Sequence, residues 1–218
     1  MKISKVLSYV LHPIFMPIIV IYISLNYVEY FQIIFSNYTR PLYIIITVFT
    51  MLLPLISSVL FLQFKKVESL EMKTKEERNR PIFISIIIMI IGYSFFKNIS
   101  QLSPYLTSIY LSSVFILIIA FLITKKWKIS LHMLGIGGAT GSFIALNYIF
   151  GEMYFWVILF LFLSGLLAFA RLDQKAHNTS QVYAGFLLGC IFQTLFIVNY
   201  NSIISTISIF LSSMDSLL

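Results

Sequence analysis

Seven apolar stretches, at about 8–27, 41–63, 82–97, 105–124, 131–150, 153–170 and 181–200, take up most of this 218-residue chain. Backbone N–H and C=O groups inside hydrocarbon find no water, so each stretch must satisfy them internally as a helix. About 20 residues cross a bilayer. The pattern therefore predicts an all-α, polytopic transmembrane helical bundle of about seven spans, read as a single domain over 1–218. Composition leads to the same place: only 11% of residues are charged and 59% are hydrophobic, whereas a soluble domain carries about 25% charged residues. So few charges cannot coat a water-facing surface, which excludes a soluble enzyme or a nucleic-acid reader. The first stretch follows Lys2 and Lys5 as a signal peptide would. It has no small-residue cleavage site and contains His12, Pro13 and Pro17, so it reads as a retained span. The segment 202–214 is Ser-rich and too short to cross.

The basic residues are unevenly placed. With the spans numbered in order, the N-terminus and the loops 64–81, 125–130 and 171–180 share one side and hold thirteen Lys and Arg; the other side holds Arg40 and Lys97. Basic residues in short loops stay on the cytoplasmic side, so the basic side is expected to be cytoplasmic. Lys outnumbers Arg eleven to four and Ile is abundant, a composition that suggests an AT-rich bacterial genome and hence a bacterial inner membrane.

On the basic side, His132 and His177 sit at span ends among arginines and lysines. Arginine presents a planar fork of donors that fits phosphate oxygens, and lysine adds a point charge. Histidine supplies a nucleophile and a proton donor near neutral pH. A carboxylate-held metal would need converging acids; Glu68, Glu71, Glu76, Glu77 and Asp173 have no ligand-like spacing with the histidines. The set points to metal-independent chemistry on a phosphate, with no metal and no cofactor expected.

Spacing sharpens this. Lys73-x6-Arg80-Pro81 opens the third span, Ser130-Leu131-His132 opens the fifth, and Arg171-x5-His177 follows the sixth. The order resembles the signature of the type 2 phosphatidic acid phosphatase superfamily, which includes lipid phosphate phosphatases, glucose-6-phosphatase and vanadium haloperoxidases: K-x6-R-P, then P-S-G-H, then S-R-x5-H-x3-D. Seven of its eleven fixed positions match, over about 73–189. The departures are Ile129 for proline, Leu131 for glycine, Ala170 for serine and Gln181 for aspartate.

The resemblance implies a six-helix core of the lipid phosphatase type and a role for each matched residue. Lys73, Arg80 and Arg171 would hold the phosphate, with Ser130 donating a further hydrogen bond. His177 would attack phosphorus, and His132 would protonate the leaving oxygen and then activate water. Gln181 would orient His177 where the family has a carboxylate; it can hold the ring's tautomer but cannot offset its charge. The expected substrate is a lipid phosphate or polyprenyl diphosphate. A catalytically weakened lipid-phosphate binding or transport protein, or a phosphotransferase on the same scaffold, is the alternative. The resemblance implies an extracytoplasmic site and the charge count a cytoplasmic one. Gly135, Gly137, Gly138 and Gly141, with Gly185 and Gly189, are expected to serve close helix packing, and His12 to be an interfacial residue at a kinked helix end.

Overall fold

The computed structural model describes residues 3–64 and 75–206. Among these residues there is no strand, and seven helices are long and apolar enough to cross a membrane. The chain is an all-α, polytopic bundle. The first span comprises α1 (Ile3–Val10), a 3₁₀ turn (Pro13–Phe15) and α2 (Met16–Tyr27). A short α3 (Glu29–Phe35) leads to the second span, built of α4 (Thr39–Ile46), a π turn (Thr47–Leu52) and α5 (Leu53–Gln63). The remaining spans are single helices: α6 (Lys75–Ser100), α7 (Pro104–Thr124), α8 (Leu131–Phe150), α9 (Tyr154–Asp173) and α10 (Thr179–Val198).

The interruptions in the first two spans have local causes. His12 precedes Pro13, and its Nδ1 accepts the Ile14 N–H at 3.3 Å, which caps the 3₁₀ turn. In the second span Pro54 has no N–H to give the Thr50 carbonyl, and its ring crowds that carbonyl. The helix widens into a π turn just before it. The third span is longer than its apolar stretch. It starts at Lys75 in the polar loop and carries Pro81 inside it, where the ring removes the hydrogen bond to the Glu77 carbonyl.

The closest helix pair is α8 with α10. A Cβ placed on Gly137 would come within 2.4 Å of the Phe186 carbonyl oxygen. On Gly141 it would lie 2.3 Å from that of Cys190, and on Gly189 2.3 Å from that of Leu134. The two backbones touch, as small residues permit in lipid. This contact carries Ser130 N–H to the Gln181 carbonyl (3.3 Å) and sets the starts of the two helices side by side. Gly138 faces open space and Gly135 faces Pro13, so the packing role holds for some of these glycines and not for Gly138.

Gly189→Ala is therefore expected to cost about 1–3 kcal/mol through overpacking, and Gly138→Ala to stay within about 1 kcal/mol of the parent. Thermal unfolding of the detergent-solubilised variants checks this: Gly189→Ala should lower the midpoint and Gly138→Ala should not.

Candidate functional site

The basic ends of the helices surround a cavity of about 870 Å³. Its outer part is lined by Lys5, Arg78, Lys128, Arg171 and Lys175, and by all three histidines, His12, His132 and His177. Among the described residues no Asp or Glu lines it. Its inner part is mostly apolar, with Val20, Met89, Ile109, Leu117 and Ala139 on the walls, and carries the polar side chains of Thr50, Ser113, Ser142 and Gln193.

His177 sits in the short α9–α10 connection and is 6% exposed. Asn178 caps α10: its Oδ1 accepts the Gln181 N–H at 3.0 Å, and Gln181 Oε1 accepts the Asn178 N–H at 3.3 Å. That second bond dictates which end of the Gln181 amide is oxygen. The same Oε1 lies 3.0 Å from His177 Nδ1. An oxygen of this kind only accepts, so Nδ1 carries the proton and Nε2 keeps its lone pair. A capping box common at helix starts thus sets a histidine tautomer. Burial holds the His177 pKa down at about 4, helped by the positive charges of Arg78, Arg171 and Lys128, while the Gln181 bond works the other way. Burial also lowers Lys128, with Arg78 and Arg171 adding to the effect.

α1 supplies a second set of contacts. Ser4 and Ser8 lie four residues apart and so share one face of α1, and His12 follows just past the end of that helix. Ser8 Oγ accepts from Arg171 Nη1 at 3.2 Å and from Gln174 Nε2 at 2.8 Å. The Ser8 carbonyl accepts from His132 Nε2 at 3.1 Å; a carbonyl cannot donate, so the His132 proton sits on Nε2. Ser4 Oγ donates to Asp173, which engages that carboxylate on α1, and the carboxylate is absent from the cavity wall. The His12 and His132 rings meet edge to face, 4.9 Å between centroids.

The structure brings His177, His132 and Arg171 to one cavity, with Gln181 holding His177 from behind. Two expectations need correction. Arg80 is exposed and does not line the cavity; Arg78 does, 6% exposed and donating to the Ile129 carbonyl at 3.3 Å. The two arginines lie about 200° apart around the helix, and the cavity takes the face of Arg78, Ile82, Ser85 and Met89. Ser130 is fully buried as the cap of α8, its Oγ accepting the Met133 N–H, and is not on the cavity wall. Lys73 lies outside the described residues. Arg78, Lys128, Ser8 and His12 were not picked out as site residues from the sequence. The four-residue spacing of polar side chains along an otherwise apolar first span was the available signal for two of them. Among the described residues no three His, Cys, Asp or Glu side chains come together as metal ligands would.

Comparison of the chain with protein-family models, with curated proteins and with solved structures finds no match.

Two outcomes follow from this geometry. In an NMR titration of ¹⁵N-histidine-labelled protein, His177 should stay neutral from pH 7 down to about 4, with Nδ1 as the protonated nitrogen. Ordinary histidine titrates near 6.5; a midpoint there would contradict the buried, cation-flanked environment. Second, Ser8→Ala removes an acceptor from a buried guanidinium, and bonds to charged groups contribute about 1.5–3 kcal/mol. The variant should unfold at a lower temperature than Tyr9→Phe, a change of an exposed residue one position along.

Proposed function

We propose that this integral membrane protein is a phosphatase that hydrolyses a lipid phosphate or polyprenyl diphosphate through a phosphohistidine. The observation that carries the reading is the orientation of His177. Its Nδ1–H is engaged by Gln181, and its unprotonated Nε2 belongs to a ring on the wall of a cavity that, among the described residues, is lined by arginines and lysines and by no carboxylate. A neutral imidazole in so basic a cavity is suited to an anion with an electrophilic centre.

In the proposed reaction Arg78, Arg171 and Lys128 bind the phosphate oxygens and stabilise the charge that spreads over them in the transition state. The Nε2 lone pair of His177 forms the N–P bond as the P–O bond to the leaving alkoxide breaks. His132 enters this step as the imidazolium: one proton stays on Nε2, engaged by the Ser8 carbonyl, and a second, taken up onto Nδ1 with the incoming phosphate monoanion as its donor, is delivered to that oxygen. Water then attacks phosphorus, His132 takes the water's proton, and the N–P bond breaks to restore His177 and release phosphate. The developing positive charge on His177 meets a neutral Gln181, so charge compensation comes from the bound phosphate itself. The motif order over 73–189 supports the same chemistry, with Arg78 in the place first given to Arg80. The excess of basic residues at this end of the bundle supports a cytoplasmic site in a bacterial inner membrane.

The decisive measurement is phosphate release from a panel of lipid phosphates by purified protein in detergent. His177→Ala should abolish release and the acid-labile phosphoenzyme. Arg78→Ala should lower kcat/KM by about 100-fold or more, since removing one charged donor to a transition-state oxyanion costs about 10²–10³. Arg80→Ala should change it less than about threefold. Activity that survives His177→Ala overturns the reading. Tight binding of lipid phosphate with no release, restored by Gln181→Asp, would instead identify a binding or transport protein on this scaffold.

A further inference from the structure

Among the described residues the helices that reach the basic side pack in sequence around the cavity. α1 packs on α9, α9 on α8, α8 on α10, α10 on α7, α7 on α6, and α6 on α5. Among the described residues α5 does not complete the ring by packing closely on α1. The first two spans do meet elsewhere: α2 packs on α4, and the 3₁₀ turn packs on the π turn. They therefore touch at their two helix breaks and diverge toward the basic rim, leaving a V-shaped gap whose apex is Pro13–Phe15 against Thr47–Leu52.

A second observation coincides with this gap. Most apolar residues on the cavity wall are buried or half-buried. Three of them keep a large accessible surface: Tyr9 (59%), Phe15 (36%) and Leu55 (43%). Two flank the gap on the first span and one on α5. The cavity reaches well into the membrane: Ser142, on its wall, lies ten residues beyond His132 along α8, about 15 Å at 1.5 Å per residue. That depth is about half the roughly 30 Å hydrocarbon core, the length of one leaflet's chains.

We infer that the gap between α1 and α5 is a lateral portal, through which one hydrocarbon chain of a phosphate-bearing lipid enters the cavity directly from the basic-side leaflet. Charge selects the occupant. Lys5 lies one turn from Tyr9 toward the rim on α1, and both line the cavity; Arg78, Lys128 and Arg171 stand further in. A chain passing Tyr9 and Leu55 is thus attached to a head that meets Lys5, Lys128 and the two arginines. A neutral lipid gains nothing there, and a water-soluble phosphate ester has no use for the apolar lips or for Val20, Met89 and Leu117 beyond them. The inference rests on the lipid-phosphate reading for its choice of head group. It adds the route, the leaflet and the requirement for a membrane-resident chain.

The test uses the full chain in phosphatidylcholine vesicles and a phosphonate analogue of phosphatidic acid with a diazirine in mid-chain, which cannot be hydrolysed. After irradiation, adducts are mapped by mass spectrometry. Met89, inside the cavity, should be labelled at least fivefold more than with the matching diacylglycerol probe. Leu55→Trp, which narrows the portal, should cut Met89 labelling at least fivefold while labelling of Phe162, 63% exposed on α9, stays unchanged; that unchanged signal also reports an intact fold. Equal Met89 labelling by both probes, or Met89 labelling indifferent to Leu55→Trp, overturns the portal. A parallel phosphate-release assay with ordinary phosphatidic acid separates the two ideas. Portal-dependent labelling without release leaves the portal standing and removes the hydrolase reading. Release without Met89 labelling does the reverse, as would equal turnover of a short-chain, water-soluble phosphate ester.

Discussion

The site depends on the close approach of α8 and α10. Glycines at 137, 141, 185 and 189 let the two backbones meet where any side chain would collide with a carbonyl. In lipid there is little hydrophobic force between helices, so packing of this kind supplies the association. Because the helices are parallel and in contact along their length, their starts are held together as well. His132 follows the cap of one, and His177 precedes the cap of the other. Two segments far apart in the chain thereby become one wall of a cavity.

Around that wall the protein gathers positive charge. Arg78 and Lys128 give hydrogen bonds to main-chain carbonyls, those of Ile129 and Ala176, and Arg171 to a serine hydroxyl. Neutral acceptors of this kind satisfy hydrogen-bonding geometry without themselves cancelling charge. Ionisable groups at the membrane edge are costly and usually functional. Here the acceptors come from the segments before α8 and α10 and from α1. Burial, helped by the neighbouring cations, holds His177 neutral well below its usual range, next to a field that favours anions. An orienting amide is compatible with that field in the empty site; a carboxylate would cancel part of it.

The broken first two spans matter for a different reason. A straight helix packs along its whole length. The 3₁₀ turn and the π turn let each of these spans follow its neighbour in one half of the membrane and depart from it in the other. Pro13 and Pro17 were visible as a potential break in the sequence and Pro54 was not picked out, and the direction in which each half-helix departs depends on what it packs against. The apolar pattern therefore locates these spans and says nothing of the gap between them.

Span number, helical class and the clustering of basic residues at one end were legible from sequence, because they depend on local quantities: apolar length, backbone satisfaction in lipid and loop charge. The spacing of His132, Arg171 and His177 was legible for a related reason, since span ends on one side of a bundle face each other. The choice of Arg78 over Arg80 was not. Two residues on a helix point about 200° apart, and which face looks inward is decided by the rotation of α6 against α5 and α7. Nor were Ser8 and Gln174 legible as partners of Arg171, since their contacts join the first span to the sixth. By itself the sequence determined what must be a helix and which ends meet. The tertiary structure alone decided which side chains of those ends look into the cavity, because rotation and approach of helices are set by packing between segments distant in the chain.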